Sequence, residues 1–146
     1  MAKKSDLEKM HLLANSIRRT YKRLRYVTDQ IHATVNISAP KRTLLLDLKR
    51  DGPQTVPALA AFRCVSRQIT QTQINELMAL GYVRSEPNPS HKRSPLITLS
   101  KAGERVVKEM IGKESAFIDN LDWLPDSKAL KCCQEVLDSI YDRLEL

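Results

Sequence analysis

A long amphipathic stripe near the start of the chain most constrains what it can fold into. Apolar side chains recur every three or four residues from Leu7 to Ile31, the spacing that aligns side chains on one face of an α-helix. At 1.5 Å per residue such a helix is about 40 Å long, as wide as a whole domain. We expect one helix over residues 5–34, begun by a capping box of Ser5 and Glu8. Part of its stripe should meet another chain, unless the helix lies across a single protomer.

Three shorter helices are expected next. Ser38, Thr55 and Ser66 are residue types that favour helix N-caps, and Gly52 and Gly81 favour helix ends. The helices that they delimit have about ten, seven and fourteen residues and are joined by tight turns. This order and these lengths predict a helix-turn-helix.

A β-hairpin should follow directly. Residues 82–86 and 96–99 favour strands, while the segment "PNPSHKRSP" between them has no apolar residue and must be an exposed loop. Ser100 then caps another helix, and "DWLPDS" separates it from a last one. The predicted fold is mainly α, a winged helix-turn-helix with a two-stranded β wing. We predict one domain, 1–146, with a DNA-binding lobe at 38–99 and dimerisation helices at 5–34 and 101–146.

The charge of the chain is unevenly distributed. The formal net charge is +7, from 24 Lys and Arg against 17 Asp and Glu. Residues 1–95 hold 17 of these basic side chains and 7 of the acidic ones, whereas the remainder holds 7 and 10. The asymmetry indicates that the N-terminal part faces a polyanion such as double-stranded DNA.

The fourth predicted helix, "SRQITQTQINELMAL", has a polar but nearly uncharged outer face. Four apolar residues should hold it to the core, namely Ile69, Ile74, Leu77 and Leu80. Amides bond adenine, arginine bonds guanine, and threonine offers a hydroxyl and a methyl group, so such a face can discriminate between bases in the major groove. The predicted base contacts are Ser66, Arg67, Gln68, Thr70, Gln71, Thr72 and Asn75.

Basic residues elsewhere in the lobe are expected to touch DNA as well. His91, Lys92 and Arg93 at the tip of the hairpin suit the minor groove, which attracts arginine where it is narrow. Phosphate contacts are expected from Lys41, Arg42 and Arg84.

No enzyme chemistry is evident. Only four Gly are present and none forms a phosphate-binding loop, and there is no Gly-flanked Ser nucleophile and no metal-ligand cluster. We therefore expect neither a cofactor nor a metal. No apolar run approaches the length of a membrane span and the N-terminus lacks a signal-peptide core, so the expected location is cytoplasmic.

The stretch "INELMALGYVRSEPNPSHKRSPLITLSKAGERV" resembles the corresponding stretch of the MarR family of bacterial transcriptional regulators. The matched residues are Leu77 and Gly81 at the helix end, Arg84 in the strand, Lys92 and Arg93 in the wing, and Leu99, Ser100 and Gly103 in the return. His91 stands where the family has Asp, and Lys92 replaces an Arg. The resemblance implies a homodimer on a pseudo-palindromic operator, usually a repressor, released by a small-molecule effector that binds between the dimer helices and the winged lobe.

Two alternatives remain open. Cys64 lies just before the fourth helix, so the same scaffold could be an oxidant-sensing regulator, although a packed thiol is the favoured interpretation of this residue. From another class, the chain could be a helical protein-interaction module whose basic face meets an acidic partner.

Overall fold

In a computed structural model, residues 4–144 are described, and the chain divides into two compact units after Ser115. The elements in chain order are α1 (Lys4–Ile31), α2 (Ala39–Asp51), β1 (Gln54–Thr55), α3 (Val56–Phe62), α4 (Arg67–Ala79), β2 (Val83–Glu86), β3 (Leu96–Leu99), α5 (Lys101–Asp119) and α6 (Ser127–Arg143). The predicted order of helices and strands is confirmed, apart from one added strand. Residues 1–3 and 145–146 of the predicted domain lie outside the described part.

The long first helix is confirmed as a single element of 28 residues. It already includes Ser5, so the predicted capping box is wrong, and it ends at Ile31 rather than near residue 34. None of its residues is buried, and much of its apolar stripe, including Leu7 and Ile17, is exposed, whereas Val27 and Ile31 near its end are half-buried. The first unit therefore covers only part of the stripe that the sequence predicted.

The core of the first unit lies where α2, α4 and α5 meet the small sheet. Its fully covered side chains are Leu44, Leu45, Ile74, Leu77, Ile97, Val107 and Met110. Because they come from three helices and a strand, their burial fixes the orientation of α4 in the lobe. Burial of each large aliphatic side chain contributes about 1.5–3 kcal/mol.

The predicted hairpin is confirmed, with Val83 opposite Leu99 and Glu86 opposite Leu96 in antiparallel register. A third strand was missed, so the sheet has the order β1-β3-β2. The missed strand is only Gln54–Thr55, which pairs with Ile97 and Leu96. Two residues are too few for a hydrophobic alternation to appear in the sequence.

The second unit contains the end of α5 and all of α6. Asp126 caps α6 by accepting from the backbone N–H groups of Lys128 and Ala129, each at 3.0 Å. No described residue of α6 is buried, and its apolar side chains, among them Leu130 and Tyr141, are exposed. The predicted region 101–146 is thus two helices, and its role in dimerisation stays a prediction.

Candidate nucleic-acid interface

Both α3 and α4 begin at the predicted caps. Thr55 Oγ1 accepts from Ala58 N at 3.3 Å, and Ser66 Oγ accepts from Ile69 N at 3.2 Å. The predicted cap at Ser38 is correct in backbone conformation, but its hydroxyl makes no cap hydrogen bond. Between α3 and α4 the chain turns at Cys64, whose φ of 51° lies in the left-handed region. The two helices therefore meet in a short, well-defined turn, as a helix-turn-helix requires.

The inner face of α4 differs from the predicted one. Thr70, Ile74 and Leu77 are its buried residues, at spacings of four and three. Thr70 is 0% exposed and its hydroxyl donates to Ser66 O at 3.1 Å, so the predicted base contact by Thr70 is wrong. Ile69 is 52% exposed and Leu80 is 48% exposed, so neither holds the helix to the core.

The outer face of α4 carries the other predicted base-contacting residues. All are exposed, namely Ser66, Arg67, Gln68, Gln71, Thr72 and Asn75. Gln71 Nε2 donates to Asn75 Oδ1 at 2.8 Å, which orients both amides. Thr72 Oγ1 donates to Gln68 O at 3.0 Å. The face is thus a set of hydrogen-bonding groups in fixed relation to each other, and only Arg67 among them is charged.

The hairpin loop is shaped by Asn88, which the sequence analysis missed. Its side-chain amide donates to Ser94 O at 2.8 Å, and its Oδ1 accepts from Ser90 N at 3.0 Å. An Asn that follows Pro and bonds the backbone two residues on is a known turn signal, so it could have been noticed. His91, Lys92 and Arg93 are all exposed on this loop.

The wing cations have no acidic partner in the part of the chain that the structure describes. Lys92 and Arg93 form no ion pair with any residue from 4 to 144. The family's wing Asp, which His91 replaces, is therefore not substituted by another acid in the described part. Two exposed, unpaired cations on a projecting loop are positioned for an external anion.

The three predicted phosphate contacts differ in environment. Arg84 is exposed and pairs with Glu86 Oε1 at 2.8 Å, while Lys41 Nζ lies 2.7 Å from Glu76 Oε2. Ion pairs with solvent-exposed partners are weak, and the carboxylates of Glu86 and Glu76 are 37% and 51% exposed, so both cations can exchange their partner for a phosphate. Arg42 cannot make this exchange, because its side chain is buried.

Arg42 is only 7% exposed, and the predicted phosphate contact by it is wrong. Its Nη1 donates to Ile37 O at 2.8 Å, and its Nη2 pairs with Asp29 of α1. A buried guanidinium whose donors are engaged in this way is a structural link between α1 and α2.

A cavity of about 680 Å³ lies between α1 and the helices α2 to α4 of the first unit. Its apolar walls include Tyr21, Leu24, Leu46, Phe62, Val65 and Ile69. Three buried polar atoms of its lining have no hydrogen-bond partner among the described residues: His32 Nδ1, Arg42 Nε and Asp47 Oδ2. Unsatisfied buried polar atoms are rare in native proteins, so three around one cavity require an explanation.

Asp47 in the cavity lining forms ion pairs with two arginines. Asp47 Oδ1 lies 3.1 Å from Arg50 Nη2, and Asp47 Oδ2 lies 3.8 Å from Arg63 Nε. Desolvation raises the pKa of Asp47 above its ordinary value, while the two arginines oppose the shift. Burial also lowers the pKa of Arg63, and Asp47 counteracts it. At the far wall, His32 Nε2 lies 2.8 Å from Glu114 Oε1.

The cysteines and metal-ligating residues form no further site in the described part. Cys64, Cys132 and Cys133 are exposed free thiols, so the favoured interpretation of Cys64 as a packed thiol is wrong. Residues 4–144 contain no group of three or more His, Cys, Asp or Glu side chains arranged for a metal ion. Within the same residues, no helix combines the length and the apolar character needed to cross a membrane.

Comparison of the sequence with known proteins found relatives but no matching family model. An uncharacterised protein of Mycobacterium tuberculosis is 31% identical over 96 residues, which cover 66% of this chain and 67% of that one. An uncharacterised helix-turn-helix transcriptional regulator of Bacillus subtilis, YdgG, is 29% identical over 107 residues, which cover 68% of each chain.

Solved structures share the fold over most of its length. The transcriptional regulator BldR from Sulfolobus solfataricus has a TM-score of 0.78 at 21% identity and covers 98% of this chain and 100% of its own. The MarR family regulator SP03579 has a TM-score of 0.75 at 18% identity, with 94% and 91% covered. Reduced AbfR, solved bound to DNA, has a TM-score of 0.71 at 19% identity, with 99% of this chain and 100% of that one covered. The chain therefore shares its fold with solved transcription regulators that include a member of the MarR family.

Proposed function

We propose that this protein is a transcriptional regulator that binds double-stranded DNA with sequence specificity. The observation that carries the proposal is the exposed face of α4, whose amides and single arginine share this helix with one acidic residue, Glu76, which is engaged by Lys41. Such a face suits the donors, acceptors and methyl groups of the major groove. The structure of AbfR bound to DNA supports this use of the shared fold.

Within this proposal, the hairpin loop adds affinity. Lys92 and Arg93 are exposed and unpaired in the described part, so no internal ion pair must break before they meet DNA. Arg93 enters the minor groove, and Arg84 and Lys41 contact phosphates that fix the register of α4. His91 lies beside these cations and contributes a further hydrogen-bonding group.

The functional form is a homodimer that acts as a repressor. Support comes from the apolar side chains that α1 and α6 each leave exposed in one chain, since large exposed apolar patches typically mark interfaces. A two-fold dimer would place its lobes on a pseudo-palindromic operator with half-sites about 34–36 Å apart. Sedimentation equilibrium tests the dimer, and a monomer at micromolar concentration would contradict it.

A small-molecule effector that enters the cavity releases the DNA. The cavity size is in the range of about 300–1,000 Å³ typical of ligand sites. Three buried polar atoms of its lining make no hydrogen bond within the described residues, and a ligand could bond to them. A screen for compounds that raise the melting temperature, followed by measurement of DNA release, tests this part of the proposal. Compounds that stabilise the protein without changing DNA affinity would contradict it.

The central experiment is selection of bound fragments from a random DNA pool, followed by footprinting of the most enriched sequence. A regulator should enrich one motif with two related halves. Equal binding to all sequences would instead favour the protein-interaction module, whose basic surface binds any polyanion.

The first prediction concerns Arg67. Arg67→Ala should weaken binding to the selected site by about 1–3 kcal/mol and relax the preference at one base pair, because a bidentate contact to a base is lost. Fluorescence anisotropy on the selected site and its single-base variants measures both effects. Arg105→Ala is the matched control, since Arg105 is also an exposed arginine but lies on α5. Unchanged base preferences in Arg67→Ala would show that α4 is not the recognition helix.

The second prediction concerns the wing. Arg93→Ala should reduce the slope of log affinity against log salt concentration by about 1, because one fewer counterion is released from DNA. Titrations between about 50 and 200 mM salt measure the slope, again with Arg105→Ala as the control. If both variants keep the slope of the parent, Arg93 lies outside the interface.

A further inference from the structure

The outer face of α4 carries an apolar side chain where polar ones were expected. Ile69 lies in the first turn of the helix and is 52% exposed, although Thr70 beside it is fully buried. Its backbone N–H is bonded to Ser66 Oγ at 3.2 Å, so this turn is fixed by the cap. The N-terminal turn of a recognition helix is the part closest to the bases in helix-turn-helix complexes.

Thr72 extends this apolar surface. It follows Ile69 by three residues and therefore neighbours it on the helix surface. Its hydroxyl donates to Gln68 O at 3.0 Å, so the hydroxyl is engaged by the helix backbone. The exposed Thr72 therefore offers an external partner its methyl group, while its hydroxyl hydrogen is held by the helix backbone. We name Ile69 and the Thr72 methyl the methyl patch.

The methyl patch and the amides divide the face of α4 into two kinds of surface. Gln71 and Asn75 are hydrogen-bonded to each other at 2.8 Å and present amide groups. The only apolar group on the major-groove edge of any base is the C5-methyl of thymine, whereas adenine offers a donor and an acceptor to an amide. The methyl patch therefore suits thymine, and the amides suit adenine.

From this arrangement we infer that Ile69, with the Thr72 methyl, contacts the C5-methyl of thymine and selects thymine at that position of the operator. The inference rests on the proposed function and adds a specificity-determining residue to it. Ile69 also borders the cavity between α1 and α2 and a shallow groove shared with Gln68 and Thr72. A role confined to the cavity is the competing explanation, and the experiment separates the two.

The test replaces thymine by deoxyuridine, which lacks only the C5-methyl group, one position at a time in the selected site. At one thymine of each half-site, the parent should bind the deoxyuridine DNA about fourfold more weakly than the thymine DNA. Burial of one methyl group contributes about 0.8 kcal/mol, which corresponds to this factor in affinity. Ile69→Ser should lose most of this difference between thymine and deoxyuridine at that position, with only the Thr72 methyl left to contact the C5-methyl group. Ile69→Val, which keeps a branched apolar side chain, should retain most of the difference.

Leu80→Ser is the matched control, because Leu80 is the other exposed large apolar residue of this helix region but lies at its C-terminal end. It should keep the sensitivity of the parent to deoxyuridine. Insensitivity of the parent at every thymine, or an equal loss on both DNAs in Ile69→Ser, overturns the inference and leaves the proposed function intact. Failure of the parent to select any sequence overturns both.

Discussion

Replacement of Gly103 by alanine is expected to lower the free energy of unfolding by about 3 kcal/mol or more. A Cβ on Gly103 would lie 2.0 Å from the carbonyl oxygen of Tyr82 and 3.0 Å from its carbonyl carbon. These are backbone atoms, and the same oxygen accepts from Ser100 N at 3.0 Å. Because the neighbour cannot rotate away, α5 would have to move from the start of β2. Chemical denaturation measures the loss.

Gly112→Ala is the control in the same helix. Apart from its chain neighbours and the backbone of its own helix turns, no atom of the described residues lies within 4 Å of a Cβ on Gly112. Alanine in a helix interior is more favourable than glycine by about 0.5–1 kcal/mol, so this variant should be slightly more stable than the parent. If Gly103→Ala has the same midpoint as Gly112→Ala, α5 does not pack on Tyr82 as described. The hairpin follows directly from Tyr82, so DNA binding should fall in parallel with stability.

Arg42→Met is expected to cost about 2–3 kcal/mol of stability. The substitution keeps most of the side-chain volume but removes the donors to Ile37 O and Asp29. Asp29 is 43% exposed and can regain water, which keeps the loss below that of a fully buried pair. Thermal and denaturant unfolding measure it.

Lys41→Met separates the two neighbouring cations. Its ion pair with Glu76 is at the surface, so its loss should change stability by less than about 1 kcal/mol. In DNA titrations Lys41→Met should have the larger effect of the two. Lys41→Met should reduce the slope of log affinity against log salt concentration, whereas Arg42→Met should leave that slope unchanged at temperatures where the variant is folded. A reduced slope in Arg42→Met would restore the phosphate contact predicted from the sequence.

The error at Arg42 has a simple physical origin. The sequence shows adjacent basic residues, Lys41 and Arg42, and adjacent residues on a helix point about 100° apart. Which of the two faces the protein depends on Asp29, which lies 13 residues earlier on a different helix. The local sequence pattern does not show that Arg42 and Asp29 lie close together in space, so Lys41 and Arg42 were both predicted as phosphate contacts.

Ile69 was predicted to be buried and Thr70 to be exposed, and these two errors have a similar origin. Apolarity alone assigned Ile69 to the core, yet it is five positions from Ile74 and cannot share a narrow helix face with it. Thr70 is four positions from Ile74, and its hydroxyl is satisfied by Ser66 O, so burial of this polar residue is inexpensive. The spacing from Ile74 favours burial of Thr70 rather than of Ile69. To predict this from the sequence, one must compare the cost of burying a hydrogen-bonded hydroxyl with the cost of exposing an isoleucine.

The sequence by itself determined the order of the helices, the caps at Thr55, Ser66 and Ser100, and the hairpin, because these depend on hydrogen bonds and periodicities within a few residues. It also determined the basic lobe and the amides of the fourth helix. Only the tertiary structure decided which of those residues are available to DNA. Burial of Thr70 and Arg42, and exposure of Ile69, follow from contacts between elements distant in the chain, and those contacts exist only once the helices have packed.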